Sequence, residues 1–231
     1  MDSRKTHWRK GMFLGEAILG FQDGIVSNLG IALGVAGGLA NPKAVVIAGI
    51  AAVFAEGVSM LFSQYSSSKA VQEFRQSEIE KEKEEMRDIP KVEREEIRQI
   101  YRAKGFKGKL LEEIVDKICS NDKVWLKTME REELTFLPPH ESSALKEAAV
   151  VGFAAIVAGL IPIIPFFLLP ISSAIPVAIA AALIALFAMG AFKAKKFGGS
   201  FWKRGVELMA IGLAAALIGY VIGYLLGGMP V

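Results

Sequence analysis

Six residues between positions 82 and 133 have the types and spacing of an oxygen-rich cation site. Glu82 and Glu85 are three apart, as are Glu93 and Glu96, and residues three apart share one face of a helix. Pro90 lies between the pairs and disfavours helix in the residue before it. A tight turn there would set the two pairs facing each other. Met129 and Glu133, four apart, add a thioether and a fifth carboxylate. Unpaired, such a group repels itself and raises some carboxylate pKa values; a divalent cation relieves the repulsion. Oxygen ligation suits Mg, Ca, Mn or Fe(II) better than copper or zinc, and a thioether tilts the choice away from Ca and Mg. The plainer alternative is a solvated face, since Lys81, Lys83, Arg87 and Arg94 interleave with these glutamates as on any salt-bridged helix. Spacing alone leaves both open.

A second set of polar residues stands inside apolar sequence. Asp23 falls in the middle of the first apolar block, where a charge costs about 2.5–3.5 kcal/mol on the lenient insertion scale and marks a functional position. Glu56, Met60 and Gln64 recur at four-residue spacing in the second block, a stripe of weak metal ligands on one helix face. The bland readings are a protonated Glu56 hydrogen-bonded to a neighbouring helix and a Met60 that only packs. Glu16 and Glu207 sit nearer the ends of their blocks; Glu16 is a candidate for the entrance to a path, Glu207 for interfacial anchoring. Neither His7 nor His140 has a partner at ligand spacing, and no serine or cysteine has a base beside it, which disfavours an intramembrane enzyme. Nothing resembles a phosphate loop, which argues against an ATP-driven pump.

These residues need positioning elements, and the composition says which. The chain has 231 residues, 52% hydrophobic and 22% charged, with a net charge of +3 and one cysteine, Cys119. The charge is segregated: apolar blocks hold little of it and the middle holds most. An integral membrane protein follows, without an intrachain disulfide or thiolate cage and with no basic excess calling for nucleic acid. A span needs about 20 apolar residues, and five are expected: Met12–Leu39, a second from Ala44 past Met60, Ala149–Leu169, Ser173–Phe192 and Val206–Leu226. The expected fold is all-α, an integral membrane five-helix bundle with a helical cytoplasmic domain inserted between spans two and three. Its divisions are residues 1–66 (tail and spans one and two), 67–143 (the charged domain) and 144–231 (spans three to five). In the charged domain, helices are expected to about Asp88, over Lys91–Ala103, over Leu110–Cys119 and over Lys123–Leu134, the last capped by Ser120, Asn121 or Asp122.

Five spans place the basic N-terminus and the Lys193–Arg204 loop on one side, so both are cytoplasmic with the middle domain, and the C-terminus is outside. Glycines recur four apart at Gly20 and Gly24, at Gly30, Gly34 and Gly38, and at Gly219, Gly223 and Gly227. Such spacing lets membrane helices approach closely, within one bundle or in a dimer. No internal repeat is visible, and an odd number of spans makes a homodimer an attractive source of symmetry.

The stretch Asp23-Gly24-Ile25-Val26-Ser27, the pair Ser59-Met60, the helical insertion and the segment Ile100–Phe106 resemble the vacuolar iron transporter family over nearly the whole chain. The resemblance implies a dimer that moves Fe(II), often Mn(II) as well, out of the cytoplasm in exchange for protons. It implies that Glu82, Glu85, Glu93, Glu96, Met129 and Glu133 form a cytoplasmic metal-binding set, and that Asp23 and Met60 line the membrane path. Two departures stand out: many relatives carry a glutamate where this chain has Gln64 and a small residue where it has Glu56. The expectation is a proton-coupled exporter with no prosthetic group, its path lined by Glu16, Asp23, Glu56 and Met60, in a prokaryotic plasma membrane, or a vacuolar membrane if the source is eukaryotic. The alternative is a membrane-anchored metal sensor or buffer without flux.

Overall fold

Long apolar runs rich in alanine and leucine favour helix, and helix is the one open structure that satisfies its own backbone in lipid. In the computed structural model, which describes residues 3–134 and 144–227, the described residues form nine helices. They are α1 (Ser3–Leu39), α2 (Pro42–Asp88), α3 (Pro90–Ala103), α4 (Gly108–Cys119), α5 (Asp122–Glu132), α6 (Ala144–Gly159), α7 (Ile164–Leu168), α8 (Ile171–Phe197) and α9 (Phe201–Gly227). The corner at Pro138–His140 and the tail beyond Gly227 lie outside the described residues.

Four helices, α1 from Phe13, α2, α8 and α9, are long and apolar enough to cross a membrane. Large apolar side chains such as Phe54, Phe62, Ile184 and Leu217 are exposed on them, as lipid-facing surfaces require. The chain is a multi-pass membrane protein. The third apolar block is broken rather than continuous over Ala149–Leu169. The α6 helix stops at Gly159, a turn closes through Ile161 N–H to Ala158 O (3.1 Å) and Ile163 N–H to Leu160 O (3.0 Å), and α7 follows for five residues. Pro162 and Pro165 supply no N–H for a continuous ladder. Buried Ile163 and Phe166 then pack with Val45, Val53, Ala174 and Ala178.

The chain divides into two compact units, Met1–Ser66 with Ser142–Val231, and Ser67–Glu141. In the first, α6 packs against α1 and α2: a Cβ at Gly24 would lie 2.3 Å from the Ala155 carbonyl, and one at Gly152 would lie 2.6 Å from that of Gly57. The repeated glycines of α1 and α9 meet each other within this one chain. A Cβ on Gly223 would stand 1.8 Å from the Gly34 carbonyl oxygen, so the backbones are in direct contact. Gly223→Val is therefore expected to abolish the monodisperse peak of the detergent-solubilised protein on size exclusion. Overpacking costs about 1–3 kcal/mol even where side chains can give way, and here the obstacle is backbone. Gly15→Val, with nothing within 4 Å of its Cβ, is expected to leave that peak unchanged.

In the second unit α3, α4 and α5 bury Ile97, Leu111, Val115, Ile118, Trp125 and Met129 together. Pro90 occupies the first turn of α3, where its missing N–H is harmless. Asn121 caps α5, its side chain accepting from Lys123 N–H (3.0 Å) and Val124 N–H (3.2 Å).

Candidate metal centre and membrane path

The last turns of α2 carry Glu82 and Glu85, the first turns of α3 carry Glu93 and Glu96, and the end of α5 carries Met129 and Glu133. On α3, Glu93 and Ile97 are four apart and both buried, so one face inserts an apolar side chain and a carboxylate together. One carboxylate oxygen each from Glu82, Glu93 and Glu133 lies within 4.8 Å of the others. Glu82 is 2% exposed and Glu93 3%. Glu82 Oε1 and Glu93 Oε2 are buried without a hydrogen-bond partner. Buried carboxylates are normally paired. The two carboxyl groups share one hydrogen bond with each other, which still leaves Glu82 Oε1 and Glu93 Oε2 without a partner.

Electrostatics follow from that arrangement. Burial, the shared hydrogen bond with Glu93 and the neighbouring charges of Glu133 and Glu85 push the Glu82 carboxyl up to about 8. Partial desolvation, then the Glu96 carboxylate beside it, pushes Glu133 up to about 7. Burial raises Glu93 too, partly offset by its hydrogen bond to Glu82. Glu85 stands at the margin, 3.8 Å from Lys81. Met129 is fully buried among the apolar side chains of α3–α5, one turn before Glu133, whose N–H bonds its carbonyl (3.0 Å).

Other glutamates of the run have ordinary partners. Glu80 accepts from Lys83 (3.0 Å) and Gln76 (2.6 Å), and Arg98 joins Glu95 to Glu112. The contrast separates solvated charge from a cation-shaped cluster. Since a metal must displace protons from groups held above their ordinary range, its affinity is expected to rise with pH. Titrating Mn(II) into the full-length protein should show up to about a tenfold gain per pH unit for each proton displaced, steepest below about 7, where both Glu133 and Glu82 are protonated, and levelling off above about 8. The opposite slope holds for the metal-free fold, because groups whose folded pKa is raised lose stability as pH climbs from about 4.5 towards 8.

In the membrane unit, Asp23 on α1 is exposed and Glu56 on α2 is partly buried. The Asn28 side chain, completely buried, donates to Glu56 Oε2 (2.5 Å) and to the Gly24 carbonyl (2.9 Å). Ser27 and Asp23 stand beside the same carboxylate. Met60 lies one turn further along α2, partly buried. Another turn on, Gln64 donates to Glu16 Oε1 (3.0 Å), and Glu147 of α6, 6% exposed, faces Glu16. The structure thus brings Asp23 and Glu56 together and ties Glu16 to the Gln64 end of the stripe.

Asn28 and Glu147 were not expected from sequence. Asn28 carried a signal, a polar residue one turn past Gly24 in an apolar block. Glu147 carried none, because its depth depends on how α6 seats between α1 and α2.

The comparisons agree on one family. A model of the VIT family matches residues 14–224. Vacuolar iron transporter 1 of Tulipa gesneriana is 28% identical over 222 residues, covering 96% of this chain and 90% of that protein. The vacuolar iron transporter of Centaurea cyanus is 31% identical over 198 residues, 84% of this chain and 81% of that protein. That of Plasmodium berghei (strain Anka) is 31% identical over 188 residues, 77% and 69% respectively.

Proposed function

Because the chain belongs to the VIT family, we propose that it exports Fe(II), and Mn(II) as well, from the cytoplasm in exchange for protons. The observation that carries this reading is the trio Glu82, Glu93 and Glu133, with two buried carboxylate oxygens that nothing in the protein satisfies. A divalent cation would satisfy both and remove the mutual repulsion. Glu85, Glu96 and the Met129 thioether complete a proposed ligand set suited to Fe(II) and Mn(II).

In this reading residues 67–143 form a cytoplasmic domain that collects the ion. The spans are α1, α2, the broken pair α6–α7, α8 and α9, five in all, with the N-terminus inside and the C-terminus outside. The path runs from Glu16 to Met60, Glu56 and Asp23. Asp23 meets Glu56 within the chain but is otherwise exposed on a membrane helix, and a second copy of the chain would cover that polar face; the proposed assembly is a homodimer. Protons arriving from the far side compete with the metal for these carboxylates and release it. A prokaryotic plasma membrane is the proposed location.

Sealed liposomes containing the protein and an internal Mn(II)-sensitive dye test the reading. Uptake well above protein-free liposomes is expected. Binding without uptake would instead identify a metal buffer or sensor.

A further inference from the structure

Five of the twelve residues from Lys193 to Arg204 are basic, and Glu207 is the only acidic residue in the sequence after Glu147. This segment joins α8 to α9, both long and apolar enough to cross a membrane. The two helices pack antiparallel. A Cβ on Gly190 would meet the Arg204 carbonyl at 2.3 Å, and one on Gly212, later in α9, would meet Leu186, earlier in α8, at 2.3 Å. A hairpin of two spans sets its turn at a membrane surface. That turn is tight: Gly198 (φ 82°) and Gly199 (φ 117°) take a conformation that favours glycine. Arg204 folds back over it, its Nε 3.6 Å from where a Gly199 Cβ would stand. The last turn of α8, with Lys195 and Lys196, is thereby joined closely to the first turn of α9, with Lys203 and Arg204.

Little in the protein balances this charge. Arg204 lies 3.9 Å from Glu207, and Lys196 stands over the Phe192 ring at 5.9 Å. Among the described residues no carboxylate lies within 4.0 Å of Lys195, Lys196 or Lys203. Helix electrostatics accounts for only half of the cluster. Cations at the end of α8 suit its dipole, whereas cations in the first turn of α9 oppose theirs. Apolar rings adjoin the charge. Phe187, Phe201 and Trp202 pack with centroids 5.4 to 5.9 Å apart, yet Phe201 is 51% exposed and Trp202 70%. Exposed aromatic rings next to basic side chains at the end of a span belong at the depth where headgroups meet acyl chains.

We propose that the α8–α9 turn is a binding site for an anionic phospholipid. Lys195, Lys196, Lys203 and Arg204 hold the headgroup phosphate, and Phe201 and Trp202 take the start of the acyl chains. A lipid is the occupant, rather than a free phosphate, because the cations and the exposed rings adjoin at a membrane surface. The site uses neither the glutamate cluster nor the residues of the membrane path.

The test is native mass spectrometry of the detergent-solubilised full-length protein, titrated with phosphatidylglycerol or with phosphatidylcholine of the same acyl chains. Phosphatidylglycerol is expected to bind about tenfold more tightly or better; equal affinities would overturn the proposal. A cation near an anionic membrane surface is worth about fivefold in affinity. Lys196→Gln with Lys203→Gln is therefore expected to weaken phosphatidylglycerol binding by about tenfold or more and to leave phosphatidylcholine binding unchanged. Lys196→Arg with Lys203→Arg, which keeps the charge, is expected to retain it; equal loss in both pairs would overturn an electrostatic site. Lys123→Gln with Lys127→Gln removes the same charge from the other unit and is expected to change nothing. An equal loss there would mean that net charge, not this turn, attracts the lipid, and the proposal would fail. Millimolar glycerol phosphate, a headgroup without chains, is expected not to displace the lipid; displacement would assign the site to a free phosphate instead.

Discussion

Replacing Glu82 and Glu93 together by glutamine will weaken Mn(II) binding at pH 8 by about a hundredfold or more, and will make the metal-free protein harder to unfold. The first effect follows from what the two side chains offer. Each presents a buried oxygen with no protein partner, and interactions of a charged group are worth about 1.5–3 kcal/mol each. Losing two removes about 3–6 kcal/mol, a hundredfold or more in affinity. The second effect has the opposite sign because the same carboxylates oppose folding when no metal is present. Glu82 is raised to about 8 and Glu93 is raised by burial, so ionising them costs more in the folded protein than in the unfolded chain. That penalty grows as pH climbs from about 4.5 towards 8. Glutamine is neutral at every pH and removes it. Thermal unfolding with chelator present should therefore show a higher midpoint for the double variant at pH 8 and a smaller difference at pH 5. A lower midpoint at pH 8 would mean that the carboxylates act as structural partners.

Asp23→Ala is expected to reduce Mn(II) flux into liposomes to the level of protein-free vesicles while leaving binding at the glutamate cluster intact. Asp23 stands beside the carboxylate of Glu56 yet is exposed on its helix. Holding a charge at that depth costs about 2.5–3.5 kcal/mol, a cost with no structural return from packing, since the side chain is not buried. Alanine removes the charge with little loss of packing. Measuring equilibrium binding and flux on the same preparation separates the two roles. Flux that survives the substitution would remove Asp23 from the path.

Much of the unit Ser67–Glu141 was legible because its signals are local. The helix expected from Lys91 to Ala103 runs from Pro90 to Ala103, and the one expected from Leu110 begins two residues earlier, at Gly108. Asn121 is the cap among the three candidates. Spacing grouped the acidic residues but not by depth. That Glu82, Glu93 and Glu133 converge most closely depends on how the α3–α5 core seats Ile97 and Met129. The membrane unit was less legible for the same physical reason. The break between α6 and α7 is carried by Pro162 and Pro165, yet an apolar run reads as one span. The partner of Glu56 proved to be Asn28 on another helix, a tertiary contact that no periodicity announces. The glycine spacing fitted a bundle or a dimer contact, and within one chain it serves backbone approaches of α1, through Gly20 and Gly24 to α6 and through Gly30, Gly34 and Gly38 to α9.

Proton-coupled metal transport is tested most directly by recording Mn(II) entry and internal pH together in liposomes that contain the protein. With an acidic interior and Mn(II) outside, the account predicts Mn(II) uptake accompanied by alkalinisation of the interior, and a much slower uptake when the pH difference is collapsed. Mn(II) uptake at the same rate with or without the pH difference, and with no change in internal pH, would contradict it.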